Sequence, residues 1–171
     1  MAKIGIYGGS FNPVHFGHVG LAEWIAGHTD LDEVWLMVSP NNPLKDKRIL
    51  ADEQERLEQV RTAIAGKKGL VASDFEFHLP RPSYTVDTLR ALNRAYPEHT
   101  FSLIMGADNL CILPKWKDYT YILAHYRIFV YPRHGYQIDS VIYEGDIQVL
   151  RDAPYFDISS TEIRNNLQVR K

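Results

Sequence analysis

Eleven residues near the start of the chain, Gly8-Gly9-Ser10-Phe11-Asn12-Pro13-Val14-His15-Phe16-Gly17-His18, concentrate types that bind phosphate. The two glycines allow positive φ and close approach of backbone N–H groups to a ligand. They follow a short β-type run at 3–7 and lead into a helical segment at 19–28. A helix start offers unpaired N–H groups and a partial positive charge, both of which favour an anion. His15 and His18, three apart at that start, can turn both imidazoles toward one ligand. Each can donate to phosphate oxygens, with added charge if protonated. The plain alternative is a tight turn with two part-buried polar histidines. Glycines, paired histidines and a strand-to-helix context together point instead to a grip on the phosphates of a nucleoside triphosphate. The loop is neither a G-x-G-x-x-G fingerprint nor a Walker A loop. No nearby cysteine or acidic pair completes a zinc site around the histidines.

Other segments carry chemistry in the same sense. Ile158, Ser159, Ser160 and Thr161 precede a short helical stretch at 162–167, where hydroxyls and N–H groups make an N-cap-like anion site. Arg164 on that stretch can clamp a phosphate with its planar fork. A capping box between Ser159 and Glu162 is the structural alternative, compatible with the first. Ser83, Tyr84 and Thr85 open another helical segment, where Ser83 or Thr85 can also serve as a cap. Gly106 and Asp108 follow a strand end, where Asp108 suits a helix N-cap. Trp116 stands between Lys115 and Lys117, a setting that suits stacking on a flat ring better than plain core.

The elements that must position these groups alternate along the chain. Strands are expected at 3–7, 33–38, 101–105, 127–131 and 147–150, and helices at 19–28, 52–65, 85–96 and 119–124, with a Pro/Asn-rich loop at 39–47. Leu57, Val60 and Ile64 give the second helix an apolar stripe at helical spacing. Alternation of this kind implies βαβ units, hence an α/β fold with a parallel sheet and helices on both faces. Ligands of such sheets sit at the carboxyl ends of the strands, so the loops after strands are the ones to read.

A length of 171 residues without an internal repeat or linker suggests one domain over 1–171. At 45% hydrophobic and 23% charged the chain can bury a core. Its net charge of −2 excludes bulk electrostatic binding of nucleic acid or membrane, so phosphate binding must be local. The single cysteine, Cys111, excludes an intrachain disulfide and fits a reducing compartment. The apolar run at the start is too short for a secretory signal or a spanning helix, so a cytoplasmic protein is expected.

The first loop resembles the G-G-[ST]-F-[DN]-P-x-H-x-G-H signature of the nucleotidyltransferase superfamily, and residues 158–164 resemble its I-S-S-T-x-I-R motif. The fuller similarity, spread over nearly the whole chain, is to the bacterial nicotinate-nucleotide adenylyltransferases. The resemblance implies a Rossmann-like doubly wound sheet and adenylyl transfer from ATP to nicotinate mononucleotide, giving deamido-NAD and pyrophosphate. It implies that His15, His18 and Arg164 act on the reacting phosphates. Gly8, Gly9, Ser10, Phe11, Gly106, Asp108, Arg133, Ile158, Ser159, Ser160 and Thr161 would complete the ATP site, with Asp108 meeting ribose hydroxyls. Lys45, Ser83, Tyr84, Thr85 and Trp116 would hold the pyridine mononucleotide, Trp116 by stacking on its ring. Leu44 replaces the histidine of the family's P-P-H-K loop, and His134 replaces the proline of its R-P-G; both bear on substrate preference.

Mg²⁺ is expected on the ATP phosphates rather than in a carboxylate cage. ATP and a pyridine mononucleotide are the expected partners, without nucleic acid or membrane; a homo-oligomer is compatible with the sequence. Nicotinamide mononucleotide as acceptor, or another adenylyltransferase of the superfamily, is the alternative. A non-enzymatic nucleotide-binding module would bind ATP without releasing pyrophosphate. An NAD-dependent redox enzyme would need the missing G-x-G-x-x-G.

Overall fold

Short β-branched and aliphatic runs alternate with amphipathic stretches, and the chain folds accordingly. A computed structural model describes residues 1–41, 52–136 and 143–155. Lys45, Ile158, Ser159, Ser160, Thr161, Arg164 and the helix expected at 162–167 lie outside the described residues, as does most of the 39–47 loop.

The elements are β1 (Lys3–Gly9), α1 (Phe16–His28), β2 (Glu33–Val38), α2 (Glu53–Ile64), β3 (Leu70–Ser73), α3 (Thr85–Ala95), β4 (Thr100–Gly106), α4 (Ala107–Ile112), α5 (Tyr119–His125), β5 (Ile128–Tyr131) and β6 (Ile147–Val149). Single 3₁₀ turns add Phe75–His78 and Leu113–Lys115. The six strands form one sheet in the order β3-β2-β1-β4-β5-β6, with every neighbouring pair parallel. This is the α/β, doubly wound Rossmann-like arrangement, in which strand order reverses between β1 and β4 and leaves a crevice at their carboxyl ends.

Both faces of the sheet are buried, which is why the central strands read as nearly continuous apolar runs rather than alternating ones. On one face α1 and α2 pack through Ile25, Leu57 and Val60 against Val34, Leu36 and Phe129. On the other, α3, α4 and α5 pack through Leu89, Leu110 and Ile122 against Ile4, Ile6, Leu103 and Val130. Helices on opposite faces thus converge on the two sides of the β1/β4 crevice.

Several details differ from the sequence reading. β1 runs on through Gly8 and Gly9, which pair with Met37 and Val38 of β2. Neither glycine has positive φ; the left-handed residue is Phe11, at φ 48°. α1 starts three residues earlier than the expected 19, because His15 caps it. β3 was not anticipated: four residues with no apolar alternation show too little pattern. The segment after β4, for which no helix was expected, is α4, six residues long and too short for helical periodicity to register. Among the described residues no helix is long and apolar enough to cross a membrane.

Candidate active site

The crevice is built first by the loop after β1. His15 is the N-cap of α1, in extended backbone geometry (φ −140°, ψ 175°). Its Nδ1 accepts the Gly17 N–H at 3.1 Å, and the His15 N–H donates to Nδ1 of His18 at 3.1 Å. The pair forms a capping box made of two histidines. A backbone N–H can only donate, so both Nδ1 atoms are acceptors, and each neutral ring carries its proton on Nε2. The rings stack at 3.7 Å between centroids. Burial, reinforced by His15 and Arg133, pushes the His18 imidazole from 6.5 down to about 3. Near neutrality His18 is therefore a neutral ring, and of the two cases the sequence left open for it, a neutral donor and a charged one, the structure favours the neutral donor.

Phe11 sets the path of this loop. Left-handed backbone at a bulky residue costs about 1–3 kcal/mol and persists only where its surroundings fix it. Here the ring is 2% exposed, edge-on to Tyr7 at 5.6 Å and to His18 at 4.9 Å. Gly9 lies over the ring, where a Cβ would stand 3.3 Å from it. A Cβ on Gly8 would meet nothing within 4 Å, so the strand end is open to close approach.

The loop after β4 faces it. Gly106 caps α4, and Asp108 is the second residue of that helix rather than its N-cap. Asp108 Oδ1 is buried without a hydrogen-bond partner among the described residues, 4.0 Å from Arg133 Nε. A Cβ at Gly106 would stand 2.5 Å from that oxygen and 3.0 Å from the Tyr131 ring. Glycine is thus required there. Arg133, two residues past β5, is half exposed and depresses the pKa of His18 across the crevice. His134 lies beside Tyr155, ring to ring at 4.6 Å.

Ser83, Tyr84 and Thr85 lie at the start of α3. Tyr84 is the N-cap residue without a side-chain cap bond, so neither Ser83 nor Thr85 caps the helix. Ser83 Oγ is buried with no partner among the described residues. Trp116 follows the second 3₁₀ turn and is half-buried against the α3–α5 face, which makes it partly core after all. Its neighbour Lys117 reaches Asp87 of α3 at 2.8 Å and lies 5.0 Å from the centre of the Tyr84 ring. The Trp116 loop and the α3 start are therefore neighbours.

One buried group escaped the sequence reading. Arg56, on the apolar side of α2, is fully buried. It donates to the Ser10 carbonyl at 2.7 Å and to Asn41 Oδ1 at 2.9 Å. Its signal is weak in sequence because one arginine beside Leu57 reads as the edge of a solvated face.

A parallel sheet with a histidine-capped helix at its switch point defines an α/β nucleotide-binding protein of the doubly wound class. A cytidylyltransferase-like family model matches residues 6–166. The chain is 46% identical over 170 residues to a "Probable nicotinate-nucleotide adenylyltransferase" of Flavobacterium johnsoniae, covering 99% of this chain and 88% of the relative. It is 46% identical to a protein of the same name from Bacteroides fragilis, covering 99% and 84%. A solved Plasmodium falciparum nicotinic acid mononucleotide adenylyltransferase, complexed with NaAD, shares the fold at a TM-score of 0.81 and 22% identity, over 96% of this chain and 83% of that one. The chain belongs to the cytidylyltransferase-like family and, within it, to the nicotinate-nucleotide adenylyltransferases, which are nucleotidyltransferases.

Proposed function

We propose that this chain, as a single domain, transfers the adenylyl group of ATP to nicotinate mononucleotide. The mononucleotide phosphate attacks the α-phosphorus in line; the bond to the β-phosphate oxygen breaks, and deamido-NAD and pyrophosphate leave. The attacking phosphate is ionised at neutral pH, so no protein nucleophile is needed. Rate enhancement then rests on positioning and on charge stabilisation in the transition state.

The observation that carries this reading is the histidine capping box. With both Nδ1 atoms accepting from backbone N–H groups, the remaining ring nitrogen of each histidine is a donor, and His15 and His18 would turn these Nε2–H groups to the α- and β-phosphates without any proton transfer. The open strand end at Gly8 supports close approach of the nucleotide. The unpartnered Asp108 Oδ1 supports a ribose hydroxyl donating to it. Arg133 would meet the triphosphate from β5, and Arg164 with Ser159 to Thr161 would hold it from the other end. Ser83, Thr85 and Trp116, with Lys45, would seat the acceptor.

Among the described residues no group of three His, Cys, Asp or Glu side chains is placed to hold a metal. Mg²⁺ would be carried by ATP oxygens and water, where it would neutralise phosphate charge.

The test is pyrophosphate release with ATP and either nicotinate or nicotinamide mononucleotide, run in parallel. Release with the nicotinate form, and at least tenfold less with the amide, is expected. No release with either acceptor would overturn the reading, and preference for the amide would reassign the acceptor.

A further inference from the structure

Arg56 is a cation with no solvent exposure, a costly placement unless it does something specific. Burial lowers its pKa, and Glu53 and Asp52 nearby partly offset that. Its guanidinium stands under the phosphate loop: Nη1 reaches the Ser10 carbonyl at 2.7 Å and Nη2 reaches Asn41 Oδ1 at 2.9 Å. The Ser10 carbonyl and the Phe11 N–H belong to one planar peptide and point in opposite directions. Fixing the carbonyl toward α2 therefore fixes the N–H away from α2. It does so next to the left-handed Phe11, where the backbone is held against its own preference.

The network continues beyond Asn41. The Asn41 N–H donates to Glu53 at 3.1 Å, and Arg81 grips the same carboxylate with both nitrogens, at 2.6 and 2.8 Å. Arg81 stands two residues before Ser83. A continuous chain of charge-assisted bonds thus runs from the loop after β1 to the start of α3.

We propose that Arg56 is a positioning residue for ATP: its guanidinium fork fixes the Ser10–Phe11 peptide so that the loop presents its N–H groups to the triphosphate. The proposal rests on the adenylyl-transfer reading for its ligand. It predicts selectivity, since the Ser10 carbonyl is held directly and the α3 start only through Asn41, Glu53 and Arg81.

The experiment compares wild type, Arg56→Met and Arg56→Lys. Dissociation constants for a non-hydrolysable ATP analogue are measured by titration, and KM values for both substrates by pyrophosphate release. Arg56→Met removes the fork at similar volume, and binding of the analogue should weaken about tenfold to a hundredfold. The KM for the mononucleotide should stay within about twofold. Arg56→Lys keeps the charge but cannot span both acceptors, and should fall between the two at about threefold to tenfold weaker. A folded Arg56→Met that binds the analogue like wild type would overturn the proposal. So would a parallel rise in both KM values with a lowered melting temperature that lysine does not relieve. Should the methionine variant not fold, Arg56→Lys decides: wild-type affinity sinks the fork. Wild type that binds the analogue yet releases no pyrophosphate would fault the adenylyl-transfer reading alone.

Discussion

The backbone N–H of His15 donates to Nδ1 of His18 at 3.1 Å, so the second histidine of the loop caps the first. In the proposed reaction the cap and the phosphate donor would be one side chain used at its two nitrogens. Removing His18 should cost both functions, by different amounts. His18→Ala should lower turnover by about two to three orders of magnitude, as for loss of one transition-state donor. Lost capping should cost only about 1 kcal/mol of stability. Steady-state kinetics beside thermal melting separates the two; a folded variant with unchanged turnover would remove His18 from the chemistry.

The depressed His18 pKa sets a pH dependence whose sign is fixed. The folded state holds His18 neutral down to about 3, whereas the unfolded chain protonates it from 6.5 downward. The unfolded state therefore binds more protons in that window, and stability declines as pH falls through it, by up to about 2 kcal/mol between pH 6.5 and 5. Above pH 6.5 the contribution is fully present. Melting temperatures at pH 7.5 and 5 should diverge more in wild type than in His18→Asn. Equal slopes would mean that His18 is not buried as a neutral ring.

The glycines of the two facing loops should behave oppositely. A Cβ at Gly106 would stand 2.5 Å from Asp108 Oδ1 and 3.1 Å from Cζ of Tyr131, whose residue is paired with Gly106 across β4 and β5. The carboxylate can turn away but the ring cannot, so Gly106→Ala should cost about 1–3 kcal/mol and raise the KM for ATP. Gly8→Ala places its Cβ in open space and should leave the melting temperature unchanged while still raising the KM for ATP. Thermal melts and ATP kinetics on both variants check this. An unaltered KM in Gly8→Ala would show that the nucleotide does not approach that strand end.

These sites differ in how far the sequence disclosed them. The loop from Gly8 to His18 was legible because glycines, histidines and a strand-to-helix switch coincide in eleven consecutive residues. The parallel sheet was legible from alternation alone. What was hidden depends on distance in the chain. Arg56 meets Ser10 across 46 residues, and nothing in α2 marks one arginine among its charges as buried. The left-handed turn fell on Phe11 rather than on a glycine, because tertiary burial of the ring overrides backbone preference. Trp116 looked like a free stacking surface between lysines, yet half of it is taken up by the core beside α3.

The Trp116 loop is held to α3 by a crossed pair of charges. Lys117 reaches Asp87 at 2.8 Å, and Asp118 reaches Arg90 at 3.4 Å. Asp118 adopts left-handed backbone, φ 49°, so the loop sits where its contacts hold it rather than where the chain prefers. Exposed ion pairs contribute only about 0–1 kcal/mol to stability, and Lys117→Glu should barely move the melting temperature. It should still shift Trp116 relative to Tyr84 and Thr85, raising the KM for the mononucleotide about threefold to tenfold on the scale set by small losses of orientation. The KM for ATP should hold, because the loop after β1 is tied to α2 instead. Reversing the partner as well, in Lys117→Glu with Asp87→Lys, should restore most of the loss. An equal effect on both substrates, or no rescue by the double variant, would mean that this pair does not set the acceptor site.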